Sequence, residues 1–410
     1  MPCRLALVAF SILAAGASVS RADDTEKITF KFQAYGTLGL VHSSENQADF
    51  VGSLLIGHGA GHTHEWSPDV DSRLGAQLTA TFGPRISAVV QVVTEQGADG
   101  SYTPQMEWAN IKVQPTPDFS VRFGRIVLPA FIVSEYRKVG YAVPWVRPPT
   151  ELYSVIPITT NDGMDASYRV AAGNFSSTIQ ANYGQANVKF PLGTAKARES
   201  WGLTNTIERG AASAHFTYQR TKLSVDTINT LFDAFRQFGP QGVAIAEKFD
   251  TDGRPDTFIG VGVAYDVKDW FVNAEWGASN TRSVVGDRRA WYVTGGYRIA
   301  TVTPYLTYST IASDPKVSDP GLTVALYPPA LAGAIAALNA GLNQSLASKP
   351  VQSTISLGMR WDFRKNFDFK LQCAHSRVGR GSRGTLTNTQ PGFKTGGSYN
   401  LVSAAVDFVF

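Results

Sequence analysis

The sequence lacks most features of disulfide-rich proteins, helical membrane proteins and nucleic-acid-binding proteins. It has only two cysteines, Cys3 and Cys373, too few for a disulfide framework or a thiolate zinc site. After residue 22, no apolar run is long enough for a transmembrane helix. The 37 basic and 33 acidic side chains form no block of one sign. This balance argues against a nucleic-acid partner.

The N-terminus carries the pattern of an export signal. Arg4 supplies a positive charge, residues 5–17 are apolar, and Ala22 ends a stretch with small residues at the cleavage positions. We expect a signal peptide over residues 1–22 and a mature chain over 23–410, because a retained anchor needs a longer apolar stretch. Cleavage would leave Cys373 as the only cysteine and would reduce the basic count from 37 to 35.

Alternation of apolar and polar residues with a period of two recurs along the mature chain. In 351–363, for example, Ile355 and Leu357 share one parity, and Thr354 and Ser356 share the other. Most such segments are longer than the ~5–6 residues of soluble strands and suit tilted membrane strands. The predicted strands are 28–42, 69–82, 85–96, 104–114, 118–127, 162–172, 174–184, 199–209, 211–222, 256–267, 269–281, 287–299, 301–312, 351–363, 365–378 and 399–410.

The connections between these segments alternate between short and long. Gly83-Pro84, Gly173 and Gly210 are short joins, whereas 128–161 and 313–350 are long. In an up-and-down barrel every second connection lies on the same side, as in outer-membrane barrels, whereas a Greek-key sandwich has no reason to sort loops by length. The sequence therefore predicts an all-β fold: a transmembrane antiparallel up-and-down β-barrel of sixteen strands, with short periplasmic turns and long extracellular loops.

The strand order, the loop asymmetry and a last strand that ends at Phe410 resemble the Gram-negative porin family over residues 28–410. The resemblance implies a single barrel domain with the 128–161 loop folded into the pore. It also implies passive diffusion of small hydrophilic solutes and ions across the outer membrane, and a homotrimer without cofactor among outer-membrane lipid and lipopolysaccharide. The 128–161 loop departs from the family's acidic motif, because it is rich in proline and aromatic residues. A channel specific for small anionic solutes and a barrel enzyme remain as alternatives.

Charged residues at the lumen parity, together with charges on the 128–161 loop, are the candidate pore constriction. The candidates are Arg73, Lys112, Arg122, Arg169, Glu135, Glu151, Asp162 and Asp165. Opposite charges across a narrow wet gap orient dipolar solutes. The loop also carries Arg137, Lys138 and Arg147, so a mainly positive gate that favours anions is an alternative. A third interpretation is that these charges only solvate the lumen.

Two loop motifs resemble parts of metal sites. The imidazoles of His58, His62 and His64, beside Glu65, have a spacing that can suit zinc or copper. The carboxylates of Asp250, Asp252 and Asp256 resemble part of a calcium loop, but the bidentate glutamate is missing. Glycine-rich loops carry such residues without binding metal, so both sites are weak candidates.

An enzymatic site has little support in the sequence. His215 is the only imidazole at the lumen parity, and no GxSxG motif accompanies it.

Two loop segments interrupt the β pattern with apolar residues at helical spacing. Their apolar positions are Ile228, Leu231, Phe232, Phe235 and Phe238 in 223–255, and Leu331, Ile335, Leu338, Leu342 and Leu346 in 313–350. We expect both to pack on the barrel mouth or on a neighbouring protomer, with a mobile gate as the alternative.

Overall fold

The computed structural model describes residues 28–191, 193–314, 318–347 and 349–410; the predicted signal peptide lies outside them. Sixteen long antiparallel strands pair in sequence order, and the first also pairs with the last, which closes a barrel and confirms the predicted fold. The strands are β1 Ile28–Ser43, β2 Arg73–Phe82, β3 Ile86–Glu95, β4 Gln105–Thr116, β5 Phe119–Val127, β6 Thr160–Ala172, β7 Phe175–Phe190, β8 Gly193–Arg209, β9 Ala212–Val225, β10 Arg254–Asp266, β11 Trp270–Asn280, β12 Arg288–Tyr297, β13 Val302–Ser313, β14 Gln352–Arg364, β15 Phe367–Val378 and β16 Ser398–Val409.

The alternation of the sequence becomes the two faces of the barrel wall. On β14, Ile355 and Leu357 are exposed on the outside, while Thr354 and Ser356 are buried on the inside. The outer face therefore offers apolar side chains to lipid, and the inner face is polar, as in membrane barrels with a wet lumen.

Aromatic residues form two belts on the outer face. The belt near the long loops contains Tyr183, Trp201, Tyr218, Trp276, Trp291 and Tyr308, and the belt near the short turns contains Tyr265, Trp270, Tyr297, Trp361, Phe363 and Phe367. Neighbouring rings contact each other, with centroids 5.2 Å apart for Trp201 and Tyr218 and 5.4 Å apart for Trp291 and Tyr308. Belts of this kind mark the two membrane interfaces. We call the belt near the long loops the upper belt.

The short turns depend on backbone conformations that glycine adopts at little cost. Gly83, Gly173 and Gly210 have φ angles of 59°, 60° and 61°, in the left-handed region. All three connect consecutive strands at the end of the barrel opposite the long loops.

One predicted loop is absent. The predicted strands 174–184 and 199–209 imply a loop at 185–198, but these residues are the upper part of a β7–β8 hairpin, whose first strand ends at Phe190 and whose second begins at Gly193. Bulges lie between Gly184 and Ala186 and between Arg198 and Trp201. A bulge inserts an extra residue and shifts the alternation of side chains, which made this part of the hairpin look like a loop in the sequence.

The long loops contain the helices. These are α1 Thr150–Tyr153, α2 Asp226–Arg236, α3 Gly239–Phe249 and α4 Ala332–Ala347, with short 3₁₀ helices at Gly140–Ala142, Val324–Leu326 and Pro329–Leu331. The first loop holds three two-residue strands, Asp49–Phe50, Ala60–Gly61 and Trp66–Ser67. Among the residues described, no helix has both the length and the apolarity needed to cross a membrane.

Helices α2, α3 and α4 lie in two of the long loops and pack against one another. Phe232 and Phe235 of α2 share a buried cluster with Ile335, Leu342 and Leu346 of α4. Both predicted helical stripes are therefore helices, and their apolar faces cover each other. Packing against a neighbouring protomer stays a prediction.

Candidate functional site

The segment between β5 and β6, residues 128–159, contacts inward-facing residues on most strands of the barrel; we call it the inner loop. Its side chains and backbone bind wall residues from β3, β4, β5, β8 and β11 to β16. A loop of this length has backbone groups that need partners when they are removed from water. The wall supplies those partners.

A buried ion pair holds the inner loop beside β2. Arg147 donates from Nε to Asp71 Oδ1 at 2.8 Å and from a terminal nitrogen to Ser403 Oγ at 2.8 Å. Its guanidinium also lies 5.1 Å from the ring centre of Phe50 in the first loop. The arginine and aspartate side chains are 6% and 0% exposed, so this arginine is a structural anchor.

A second anchor uses Glu275 of β11. Its carboxylate accepts hydrogen bonds from the Ile132 backbone N–H at 2.8 Å and from the hydroxyls of Tyr153 and Tyr292, each at 2.7 Å. The indole of Trp145 donates to Thr294 Oγ1 at 2.9 Å nearby. Three donors thus compensate a carboxylate that is buried on the wall.

Glu151 is a third anchor, and its predicted place in the constriction is wrong. The side chain is 2% exposed. It accepts from Ser309 Oγ at 2.7 Å, from Gln352 Nε2 at 2.7 Å and from the Thr354 hydroxyl. It therefore faces β13 and β14, away from the strands that carry the predicted arginines.

The backbone of the inner loop lies directly against the wall at Gly140. Lys370 Nζ donates to the Gly140 carbonyl at 2.6 Å, and Arg360 donates to the Tyr141 carbonyl at 2.7 Å. A Cβ atom at position 140 would collide with the Asp407 carboxylate, which Lys370 contacts at 2.9 Å. Only glycine fits this approach without a shift of the buried charges.

Lys138 is neutralised by two wall carboxylates. Its Nζ lies 2.7 Å from Glu95 and 2.7 Å from Glu107. Burial favours the neutral amine, but the two carboxylates outweigh burial and raise the pKa of Lys138 above its ordinary value. Lys138 and Arg147 are therefore both paired with carboxylates. Of the three basic residues that supported a mainly positive gate, only Arg137 is left.

The inner loop and the wall bring opposite charges together at β5. Lys112, Arg122 and Asp165 lie side by side on β4, β5 and β6. Arg122 contacts Asp165 at 2.6 Å. It also reaches from the wall to the inner loop, where it contacts Glu135 at 3.2 Å. Gln180 of β7 also donates to Asp165 at 2.8 Å. We call Lys112, Arg122, Asp165 and Glu135 the charged row. All four were predicted from the sequence.

Lys112 is the member of the charged row with no close partner. Among the described residues, its ammonium forms no hydrogen bond or ion pair, whereas two carboxylates share Arg122. Arg137 of the inner loop likewise has no ion pair within the described chain and lies 5.9 Å from the ring centre of Tyr153. Within the described chain, the cations of this region without an ion pair are therefore Lys112 and Arg137.

Three other predicted residues lie elsewhere. Asp162 points outward and pairs with Arg125 at 2.6 Å. Because β6 begins at Thr160, Asp162 lies within this strand, and its side chain is on the same outer face as that of Met164. Arg169 has the lumen parity but is exposed near the short turn at Gly173. Arg73 is inward and lies 4.0 Å from Glu95, beside the Lys138 anchor.

Neither predicted metal site is assembled. No group of three or more His, Cys, Asp or Glu side chains converges in the described part of the chain. His62 lies beside the Asn46 carbonyl, and Glu65 pairs with His42, so neither joins His58 and His64.

The predicted calcium loop is also taken up by protein contacts. Arg236 and Arg254 both bind the Asp250 carboxylate. Asp252 lies 3.4 Å from Ser224, and Asp256 accepts from Ser279 at 2.8 Å.

His215 has an environment that does not suit general base catalysis. Its Nδ1 lies 3.1 Å from Thr206 Oγ1 on β8, and the side chain is buried in the wall. No carboxylate among the described residues contacts the imidazole, so a base–orienter pair is not formed there.

The wall residues that hold the inner loop were missed from the sequence. They are Asp71, Glu95, Glu107, Glu275, Arg360, Lys370 and Asp407. Charges such as Glu275 and Lys370 could have been identified by their lumen parity. Their partners could not, because most of these contacts join residues that are far apart in sequence.

Comparisons with known proteins agree with this architecture. The family model described as "Gram-negative porin" matches residues 6–316. No curated protein sequence matches the chain.

Solved structures with the same fold include Salmonella typhi OmpF in complex with daunomycin, with 11% identity, a TM-score of 0.56, and coverage of 93% of this chain and 97% of that chain. An anion-selective porin from Comamonas acidovorans has 13% identity and a TM-score of 0.54, with coverage of 94% and 100%. The channel DcaP of Acinetobacter baumannii has 13% identity and a TM-score of 0.54, with coverage of 93% and 97%. At such identities the similarity shows the fold alone.

Proposed function

Because the chain belongs to the Gram-negative porin family, we propose that it is a general diffusion channel whose ion preference is set at the charged row. The closed barrel and the family show an outer-membrane channel. The observation that carries the finer proposal is the Arg122–Glu135 contact, which joins the wall to the inner loop at 3.2 Å. Opposite charges face each other there, beside the free ammonium of Lys112.

Hydration supports conduction through this region. Four charges lie within one row, and removing unpaired charge from water is costly. Arg122 is compensated by its carboxylates, but Lys112 has no such partner in the described chain. Water in the lumen is the remaining source of solvation for that ammonium, so we place the path of small polar solutes beside it.

A preference for small anions is the second candidate. It is favoured by Lys112 and Arg137, the two cations of this region without an ion pair among the described residues. Mobile anions accumulate near fixed positive charge in a narrow aqueous path. The preference would be mild, because the wall and the inner loop also carry many carboxylates.

Catalysis is not part of the proposal. The family and the fold indicate a channel, and His215 has no carboxylate partner in the described chain.

Purified wild-type protein in a planar bilayer tests conduction. We expect stable steps of conductance that increase with the KCl concentration, because ions move through a water-filled path. Empty detergent extracts serve as the control. Insertion of folded protein without conductance would contradict the channel proposal and favour a sealed or enzymatic barrel.

We also propose a homotrimer, for which the outer surface gives independent support. The outer faces of strands β1 to β4 carry aliphatic residues such as Leu38, Leu74 and Ile111, and the exposed Trp66 and Tyr102 of this side lie in the loops above these strands. Lipid-facing strands β7 to β13 carry the upper belt instead. A surface covered by another protomer has no need of a lipid-interface belt.

Heat-dependent migration in a denaturing gel tests the trimer. Unheated protein should migrate near three times the chain mass, and boiling should convert it to the monomer. Leu38→Arg together with Leu74→Arg should yield a monomeric barrel before heating, because charge would be buried in the interface. Monomeric migration of unheated, folded wild type would contradict the proposal.

A further inference from the structure

Three basic residues form a patch on the outer face of β8 and β9. Arg198 and Lys222 lie directly opposite each other on the two strands, and Arg220 lies two residues from Lys222 on the same face. Facing pairs are about 5 Å apart and alternate residues about 7 Å apart. The outward direction follows from the inward neighbours Ser200 and Thr221, whose hydroxyls lie 2.6 Å apart.

The patch is not neutralised. Arg198 donates only to backbone carbonyls and to Asn187, and Arg220 has no ion pair among the described residues. Lys222 pairs with Glu199, but both side chains are more than half exposed, at 52% and 60%. Such an exposed pair contributes little. Like charges placed directly opposite on a sheet repel each other, and the one exposed carboxylate of Glu199 does not balance three cations, so a further anion would stabilise this arrangement.

The height of the patch identifies the kind of anion. Trp201 lies directly opposite Arg220, and its ring contacts the ring of Tyr218 in the upper belt. The upper belt marks the membrane interface on the side of the long loops. The patch therefore sits at the level where headgroups of the outer leaflet begin, on strands that face lipid.

We propose that Arg198, Arg220 and Lys222 bind the phosphate groups of lipid A, the anionic headgroup of lipopolysaccharide. Three cations in a triangle can donate several charge-assisted hydrogen bonds to one phosphate. Trp201, which is level with Arg220, and Tyr218, two residues lower on β9, would contact the upper part of the acyl region. This lipid site lies outside the lumen and does not depend on the ion preference of the channel.

The test is titration of the folded full-length protein in detergent with diphosphoryl lipid A, followed by native mass spectrometry. The variant R198Q/R220Q/K222Q should bind on the order of tenfold to a hundredfold more weakly than wild type, since each basic residue near an anionic surface contributes to attraction. E199Q should bind severalfold more tightly, because it removes the only acidic neighbour that pairs within the patch.

The matched control R377Q/R380Q/K394Q removes the same charge from exposed residues of β15 and the loop that follows it, away from the patch, and should bind as wild type does. Dephosphorylated lipid A should bind wild type and R198Q/R220Q/K222Q equally weakly. Unaltered conductance of the variants would show that they are folded. Equal lipid A affinity for wild type and R198Q/R220Q/K222Q would overturn the proposal, as would displacement by inorganic phosphate at equal concentration.

Discussion

Replacing Arg147 by alanine is expected to lower the free energy of unfolding by about 3–5 kcal/mol, because it leaves Asp71 charged and buried without its partner. The carboxylate is 0% exposed. The hydrogen bond to Ser403 and the contact with the Phe50 ring would be lost as well. The inner loop would also lose its attachment beside β2, so the conductance of the variant should be noisier than that of wild type.

Arg125→Ala is the matched control. Arg125 also pairs with an aspartate, at 2.6 Å, but this pair is 39% and 45% exposed on the outer face. It lies just beyond Tyr183 of the upper belt on the side of the long loops, where water reaches the outer face. Exposed pairs of this kind are worth about 0–1 kcal/mol. Reversible urea unfolding in detergent, followed by tryptophan fluorescence, measures both variants. Equal losses in the two variants would mean that burial of the Arg147–Asp71 pair has no special role.

The barrel could be predicted because its signal is local and repeated. Each strand shows its two faces in its own residues, as Ile355 and Thr354 do on β14. Loop lengths then ordered the strands without any knowledge of contacts. The prediction was wrong for the upper β7–β8 hairpin, where the bulges at Gly184 and Arg198 displace the alternation.

The site could be predicted only in part. Residues on the wall, such as Arg122 and Asp165, were placed by parity, and the structure puts them in contact. The alternation of side chains applies to strands and gives no information about a loop. Glu151 was therefore assigned to the constriction, although it binds β13 and β14. The position of a loop residue depends on partners that are far away in sequence, such as Glu275 for Ile132.

The second large effect concerns Lys112 and ion preference. Lys112→Gln removes the free positive charge of the charged row and leaves the Arg122 ion pairs intact. A unit charge several ångströms from the path changes ion energies by roughly 1 kcal/mol in water. The anion-to-cation permeability ratio should therefore fall roughly threefold to tenfold.

Arg169→Gln is the control, because it removes one positive charge from the same inner face of the barrel wall. Arg169 lies four residues from Asp165 along β6, which is about 13 Å along the strand and beyond the Debye length of about 10 Å at 0.1 M salt. Its effect on the ratio should be much smaller.

Whether the charged row sets the ion preference is decided by the reversal potential of Lys112→Gln in a planar bilayer under a KCl gradient. We predict a shift toward cation preference in Lys112→Gln and little change in Arg169→Gln. A reversal potential equal to that of wild type in Lys112→Gln, with a clear shift in Arg169→Gln, would contradict the claim and place the selective zone at the turn-side mouth.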